Sequence, residues 1–204
     1  MTRSPEFDRS IAVDKALRLF WRKGYQASSL TDLLAAMGIG RSSFYAAFTD
    51  KRSLFITCLD LFAQHTLDLL ERASAQRRPV DALQGFFEGD FPGGRGAKRQ
   101  SGCLLVNTVL EMSGVDEDLA ARAGRHLDRV QHVFQTSLRS AGAALPLAED
   151  LAAMLMLVNE GVRVSSRRAP PEAEPPQSIA AIFRLVRSAI ANPLVPQVSR
   201  EITI

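Results

Sequence analysis

The sequence predicts an all-α protein with a small N-terminal and a larger C-terminal helical domain. Apolar residues recur at three- and four-residue steps along most of the 204 residues, and no segment alternates as a strand would. Near the N-terminus, a glycine-bearing turn separates two short helical patterns, which is the layout of a helix-turn-helix. We therefore expect a three-helix helix-turn-helix domain over residues 8–52, a helical domain over residues 53–192 and a tail over residues 193–204.

The first helix is predicted from about Asp8 to Lys23, where Gly24 follows as a stop signal. Ser29 is a suitable N-cap for the second helix, and Asp32 stands at the position that completes a capping box. The second helix is expected to end at Gly38, because glycine suits a left-handed backbone.

The third helix is predicted from Arg41 to Phe48. It is too short to be stable alone, so its helicity must come from packing Phe44 and Phe48 on the first two helices. Asp50 is expected to cap a fourth helix that runs to about Ala75.

Several elements of this region occur together in a fixed order: residues 16–20 (ALRLF), 23–25 (KGY), 29–33 (SLTDL), 38–39 (GI), 44–45 (FY), Phe48 and Lys51. In this order and spacing they resemble the N-terminal domain of the TetR/AcrR family. The resemblance implies an all-helical homodimer that binds an operator in double-stranded DNA, and a C-terminal domain that binds a small-molecule effector and dimerises. The chain departs from the family at Gly40, which supplies no capping side chain, and at Ala46 and Ala47, which replace polar side chains.

The second domain is predicted to consist of further amphipathic helices. A glycine-rich basic loop over residues 89–100 and a proline-rich linker over residues 169–176 interrupt them. The expected helices lie at about residues 80–88, 101–112, 116–141, 146–166 and 177–191. Residues 102–108 (GCLLVNT) also resemble a stretch of one TetR/AcrR subgroup.

Positive charge is concentrated in the helix-turn-helix segment. Residues 1–53 hold nine Lys and Arg against five Asp and Glu, whereas the remainder holds sixteen against seventeen. A polyanion-binding module requires such an excess. The expected DNA contacts, with the role of the tyrosine implied by the resemblance, are Ser29, Thr31, Arg41, Ser42, Ser43, Tyr45 and Lys51.

The effector site is expected among apolar side chains with a few polar groups, as small-molecule sites require. The candidates are Phe86, Cys103, Asn107, Glu111, Met112, Phe134, Met154, Asn159 and Arg163. A dimer surface is expected on the last two long helices, on stripes formed by Leu151, Leu155, Val158 and Val162 and by Ile179, Ile182, Phe183, Val186 and Ile190.

Three functions remain open at this stage. The first is a ligand-responsive transcriptional regulator, most simply a repressor that a small molecule releases from a palindromic operator. The second is a repressor that senses electrophiles or oxidants through Cys103, which lies near a helix N-terminus and near Lys98 and Arg99. The third is an architectural DNA-binding protein without an effector.

An enzyme is not expected. His65, His126 and His132 show no metal-ligand spacing, and no phosphate-binding glycine loop or nucleophile elbow occurs. We expect no cofactor and no metal. The two cysteines form no disulfide or metal pattern, and no apolar window is long enough for a membrane span, so a cytoplasmic location is the simplest expectation.

Overall fold

The computed structural model describes residues 8–76, 78–89, 102–166 and 177–192, and all regular structure in these ranges is helical. Residues 1–7, nearly all of the basic loop, the proline-rich linker and the tail lie outside them. The helices are α1 (Arg9–Lys23), α2 (Leu30–Met37), α3 (Arg41–Ala47), α4 (Lys51–Gln76), α5 (Pro79–Glu88), α6 (Leu104–Met112), α7 (Glu117–Ser140), α8 (Leu145–Ser166) and α9 (Gln177–Ala191). The all-α prediction is confirmed.

The helix-turn-helix boundaries follow the local capping signals. The Ser29 hydroxyl accepts a hydrogen bond from the Asp32 amide, and the Asp32 carboxylate accepts one from the Ser29 amide, so the predicted capping box forms. Gly38 ends α2 in a left-handed conformation, with φ at 73°. The Asp50 carboxylate accepts a hydrogen bond from the Ser53 amide at 2.7 Å, which is the expected cap of α4. Gly40 precedes α3 without a side-chain capping bond.

The helix-turn-helix domain packs on a small apolar core. α1 contacts both α2 and α4. The Phe44 side chain of α3 is completely buried, and its ring lies 5.6 Å from that of Phe48. Since α3 has only seven residues, this burial supplies the stability that a helix of its length lacks in isolation.

Helix α4 belongs to both domains. Its 26 residues span about 39 Å at 1.5 Å per residue. It contacts α1 in the helix-turn-helix domain and α5, α6 and α7 in the second domain. The expected domain border between residues 52 and 53 therefore falls in the first turn of a continuous helix.

The second domain is arranged around α7, which contacts α4, α5, α6 and α8. Its apolar face is buried, and α9 packs against α5. A cluster of aromatic rings occupies the centre, where Phe87 lies 5.7 Å from Phe134 and 5.3 Å from Phe183.

The apolar stripes of α8 and α9 correct the expected dimer surface. Leu151 and Leu155 of α8 are buried in the protomer itself, and so are the α9 residues Ile179, Phe183 and Val186. Other apolar side chains face outward instead: Leu157 is 71% exposed, Leu185 70% and Met154 39%. The buried members of both stripes therefore fill the protomer core, whereas the remaining members, Val158, Val162, Ile182 and Ile190, are half-buried.

Candidate nucleic-acid interface and effector site

The outer face of α3 carries the predicted groove contacts. Arg41, Ser42 and Tyr45 are exposed, and Ser43 is half-buried. The Tyr45 ring, 52% exposed, packs edge-on against the buried Phe44 ring at 5.3 Å. This contact orients the tyrosine while its hydroxyl remains available for a phosphate oxygen.

The predicted DNA-contacting side chains of α2 and α4 differ in how far they already interact with other parts of the protein. Ser29 and Thr31 are exposed at the start of α2, although the Ser29 hydroxyl already accepts the capping bond. The ammonium group of Lys51 lies 4.3 Å from the centre of the Tyr25 ring, so it is held by a cation–π contact. Partial burial lowers the pKa of Lys51, and the nearby Glu111 carboxylate opposes that shift.

Glu111 is a correction to the expected effector site. Its two carboxylate oxygens accept hydrogen bonds from the backbone amides of Tyr25 at 2.9 Å and Gln26 at 2.8 Å, in the turn after α1. Glu111 was expected at the effector site because it is a polar residue on an apolar helix, but its carboxylate points towards the helix-turn-helix domain and accepts hydrogen bonds from two amides beyond the end of α1.

Two further contacts join the domains, and neither was expected from the sequence. The Trp21 indole N–H donates to the Gly102 carbonyl at 3.1 Å, and Arg52 binds Asp116 through Nε at 2.7 Å and through a terminal nitrogen at 3.0 Å. Each pair is separated by more than 60 residues in the chain, so no local pattern could have indicated it.

The other effector candidates are distributed over the second domain. Phe86 and Phe134 are buried with their rings 5.9 Å apart, and Met112 is completely buried. Asn159 is a buried amide, Asn107 and Cys103 are half-buried, and Met154 lies on the outer face of α8. Because Met154 is exposed, its assignment to an interior effector site was wrong. The Arg163 side chain lies outside the described residues.

A cleft of about 320 Å³ lies between α4, α5 and α7. None of the expected effector residues lines it. Four of its lining residues carry hydroxyl groups, and the full set is Glu71, Ser74, Pro79, His132, Val133, Thr136, Ser137 and Ser140.

The two cysteines differ in environment. Burial strongly raises the pKa of the Cys58 thiol, which keeps it protonated and unreactive. Cys103 occupies the N-cap position of α6 and is partly exposed. Within the described ranges, no group of three or more His, Cys, Asp and Glu residues could hold a metal ion, and no helix is long and apolar enough to cross a membrane.

A polar cluster also joins α4 and α7, and no pattern in the sequence indicated it. Asp60 accepts hydrogen bonds from Arg122 at 2.7 and 2.6 Å and shares one of 2.9 Å with His126 Nε2. Burial raises the pKa of Asp60, but these hydrogen bonds outweigh that effect, so the net pKa lies below its ordinary value. The cluster ties the shared helix α4 to the central helix of the second domain.

Comparison with known proteins agrees with this architecture. Residues 12–58 match the bacterial regulatory proteins of the tetR family, and residues 79–181 match the LmrA/YxaF-like C-terminal domain of transcriptional regulators. The HTH-type transcriptional repressor ComR of Escherichia coli K12 is 31% identical over 171 residues, covering 79% of this chain and 80% of ComR. The chain belongs to the TetR family. It is thus a transcriptional regulator with a helix-turn-helix DNA-binding domain.

Solved structures share the fold over nearly the whole chain. A TetR-family regulator from Cytophaga hutchinsonii aligns with a TM-score of 0.72 at 20% identity, covering 90% of this chain and 92% of its own. The TetR-family regulator CifR, solved as a cysteine mutant complexed with 26-base-pair double-strand operator DNA, aligns with a TM-score of 0.62 at 27% identity. That alignment covers 92% of this chain and 99% of CifR.

Proposed function

We propose that this TetR-family protein is a homodimeric repressor that a small molecule releases from a palindromic operator. The observation that carries the proposal is the outer face of α3. Arg41 and Tyr45 project from a short helix whose opposite side is fixed by the buried Phe44. Such a helix fits the major groove, where arginine reads guanine and tyrosine binds phosphate.

Dimerisation is proposed because a single helix-turn-helix domain makes too few base contacts for tight binding. A single short helix makes few base contacts, whereas two copies related by a twofold axis bind successive major grooves and multiply the affinity. The outward Leu157 and Leu185 supply an apolar surface on α8 and α9 for the second copy. The name of the relative ComR supports repression, and the operator complex of CifR supports duplex DNA as the partner.

The effector is proposed to bind in the second domain near Phe86 and Phe134, where aromatic side chains converge from α5 and α7. Binding there releases the operator only if the ligand has a higher affinity for the dimer that does not fit the DNA. Coupling between two sites typically amounts to about 1–3 kcal/mol.

The test begins with a duplex that the wild-type dimer selects from a random DNA library. Arg41→Ala is expected to weaken binding of that duplex at least tenfold and to relax its sequence selectivity, because the dimer loses two bidentate base contacts that are worth about 1–3 kcal/mol each. Arg129→Ala, which removes an exposed arginine of α7, serves as the control and should bind normally. Full affinity and selectivity of the Arg41→Ala protein would overturn the assignment.

The same duplex separates the competing functions. Release of the duplex by compounds of a metabolite panel would support a ligand-responsive regulator. Weak sequence selection by the wild-type protein, with no release by any compound, would indicate an architectural DNA-binding protein. Turnover of a compound that binds the second domain would indicate an enzyme.

A second candidate rests on Cys103. This residue is partly exposed at the start of α6, and it directly follows Gly102, whose carbonyl binds Trp21. A covalent adduct there would disturb a contact between the two domains. Cys103→Ser should then abolish release by electrophiles and oxidants while other ligands still act, and normal release of the serine variant by reactive compounds would exclude this mechanism.

A further inference from the structure

We infer that Glu111 is a positioning residue that sets the orientation of the helix-turn-helix domain relative to the second domain. The inference rests on the proposed function, since it assigns to one carboxylate the contact through which α6 determines where the recognition helices, α3 of each protomer, lie.

The turn after α1 forms a small anion site. α1 ends at Lys23, and Gly24, with φ at 86°, turns the chain so that the next two amides face one carboxylate. Tyr25 N–H donates to one oxygen of Glu111 and Gln26 N–H to the other. Consecutive amides arranged in this way favour an anion.

Hydrogen bonds within this turn hold its shape, so a displacement of the turn also displaces the start of α2. The Ser28 hydroxyl donates to the Gly24 carbonyl at 2.6 Å, and the Ser28 amide donates to the Tyr25 carbonyl at 3.3 Å. Ser28 is completely buried, and the N-cap of α2 is the next residue. Displacement of Glu111 therefore moves the start of α2, and with it the recognition helix α3, which follows α2 after the turn at Gly38.

Helix α6 is anchored in the second domain, so it moves with that domain and carries Glu111 with it. Leu104, Leu105 and Met112 are buried, and the helix packs along α7. Gly102, just before α6, binds Trp21, and Asp116, just after it, binds Arg52. The Glu111 contact lies between these two, close to the carboxyl end of α6.

The chemistry of the site requires both a glutamate and a glycine. Each carboxylate oxygen serves one amide, so glutamine would place an NH₂ group against an N–H donor. A Cβ atom at Gly24 would lie 3.0 Å from a Glu111 oxygen, in addition to the strain of its positive φ.

The first measurement follows the contact itself. In Glu111→Gln, amide hydrogen exchange of Tyr25 and Gln26 is expected to be at least tenfold faster than in the wild-type dimer. The matched control is Glu117→Gln, which removes the same charge and a similar hydrogen bond within the second domain, where the Gly114 amide donates to the Glu117 carboxylate at 2.7 Å. Exchange at Tyr25 and Gln26 should be normal in this control.

The second measurement follows the geometry of the dimer. The duplex selected by the wild-type protein is compared with versions that carry one base pair more or less between the half-sites. The wild-type protein is expected to lose at least tenfold in affinity for the altered spacings, and Glu111→Gln should reduce that penalty at least threefold. A merely structural role would lower affinity for all spacings equally. Glu111→Ala, which leaves the two amides to water, should behave as Glu111→Gln does.

The outcomes separate the inference from the proposed function. If the wild-type protein selects no duplex, the proposed function is contradicted. The amide hydrogen exchange rates alone then show whether Glu111 holds the turn after α1. If Glu111→Gln keeps the full spacing penalty, or if Glu117→Gln loses it equally, the positioning role is overturned while the proposed function stands.

Discussion

The backbone of the helix-turn-helix predicts opposite effects for two neighbouring glycines. Gly38 has φ at 73° and Gly40 has φ at −77°, and an added Cβ would meet no atom within 4 Å at either position. Side-chain crowding is therefore the same at both sites, and only the backbone conformation differs. Gly38→Ala should destabilise the domain, and Gly40→Ser should stabilise it.

The magnitudes follow from the two conformations. A left-handed alanine costs about 1–2 kcal/mol, and the reduced entropy of the unfolded chain returns about 0.4–1 kcal/mol, so Gly38→Ala should lose about 1 kcal/mol. Gly40→Ser gains the same entropy and adds the capping oxygen that α3 lacks, worth a few tenths of a kcal/mol. It should therefore gain about 0.5–1 kcal/mol. Gly38→Asn, which tolerates a left-handed backbone, should fall between Gly38→Ala and the wild type.

Urea unfolding followed by tryptophan fluorescence measures both effects. The single tryptophan, Trp21, packs edge-on against Phe62 at 5.2 Å and reports loss of structure where the domains meet. With an m value of about 2 kcal/mol/M, 1 kcal/mol shifts the midpoint by about 0.5 M. All variants must be compared at one protein concentration, because dimerisation adds to stability. A Gly38→Ala midpoint at or above that of the wild type, or equal losses in both variants, would refute the backbone argument.

Three other contacts give predictions with separate measurements. Lys51→Met should weaken operator binding about three- to tenfold and lower the salt dependence by roughly one phosphate per subunit, and an unchanged slope of affinity against salt would remove Lys51 from the phosphate contacts. Asp60→Asn should lower the free energy of unfolding at neutral pH by about 1 kcal/mol, since its bonds to Arg122 and His126 are partly exposed to solvent. Because the folded pKa of Asp60 is lowered, this difference should be complete above the unfolded pKa of about 4 and shrink as the pH falls through the folded value, so a constant difference at lower pH would contradict the assignment. Leu157→Glu should give a helical monomer in sedimentation equilibrium, and an unaltered dimer would exclude this face of α8 from the interface.

Local signals were sufficient to predict the N-terminal fold. The capping box of Ser29 and Asp32, the left-handed stop at Gly38 and the cap at Asp50 all depend on residues at most four positions apart. The burial of Phe44 follows from the need of a seven-residue helix for tertiary support. These features can be predicted from sequence because their partners are close in the chain.

The faces of the later helices could not be assigned in the same way. Periodicity identifies a stripe such as Leu151 and Leu155 as buried, but it does not distinguish the core of the protomer from a surface between two copies. The structure buries that stripe inside and exposes Leu157. For Glu111, the sequence separation of 86 residues from Tyr25 removes any local indication of its partner.

The distribution of these long-range contacts bears on how a ligand could control DNA binding. An effector in the second domain can release DNA only by changing contacts that reach the helix-turn-helix domain. Each of the two bonds to the charged Glu111 carboxylate is worth about 1.5–3 kcal/mol and the bond of Trp21 about 0.5–1.5 kcal/mol, so together they contribute at least about 3 kcal/mol. That value matches the upper end of typical coupling energies, about 1–3 kcal/mol, so rearrangement of these bonds alone would suffice for strong regulation. The control of the recognition helix therefore does not require a change within the helix-turn-helix domain, whose core around Phe44 can remain intact in both states.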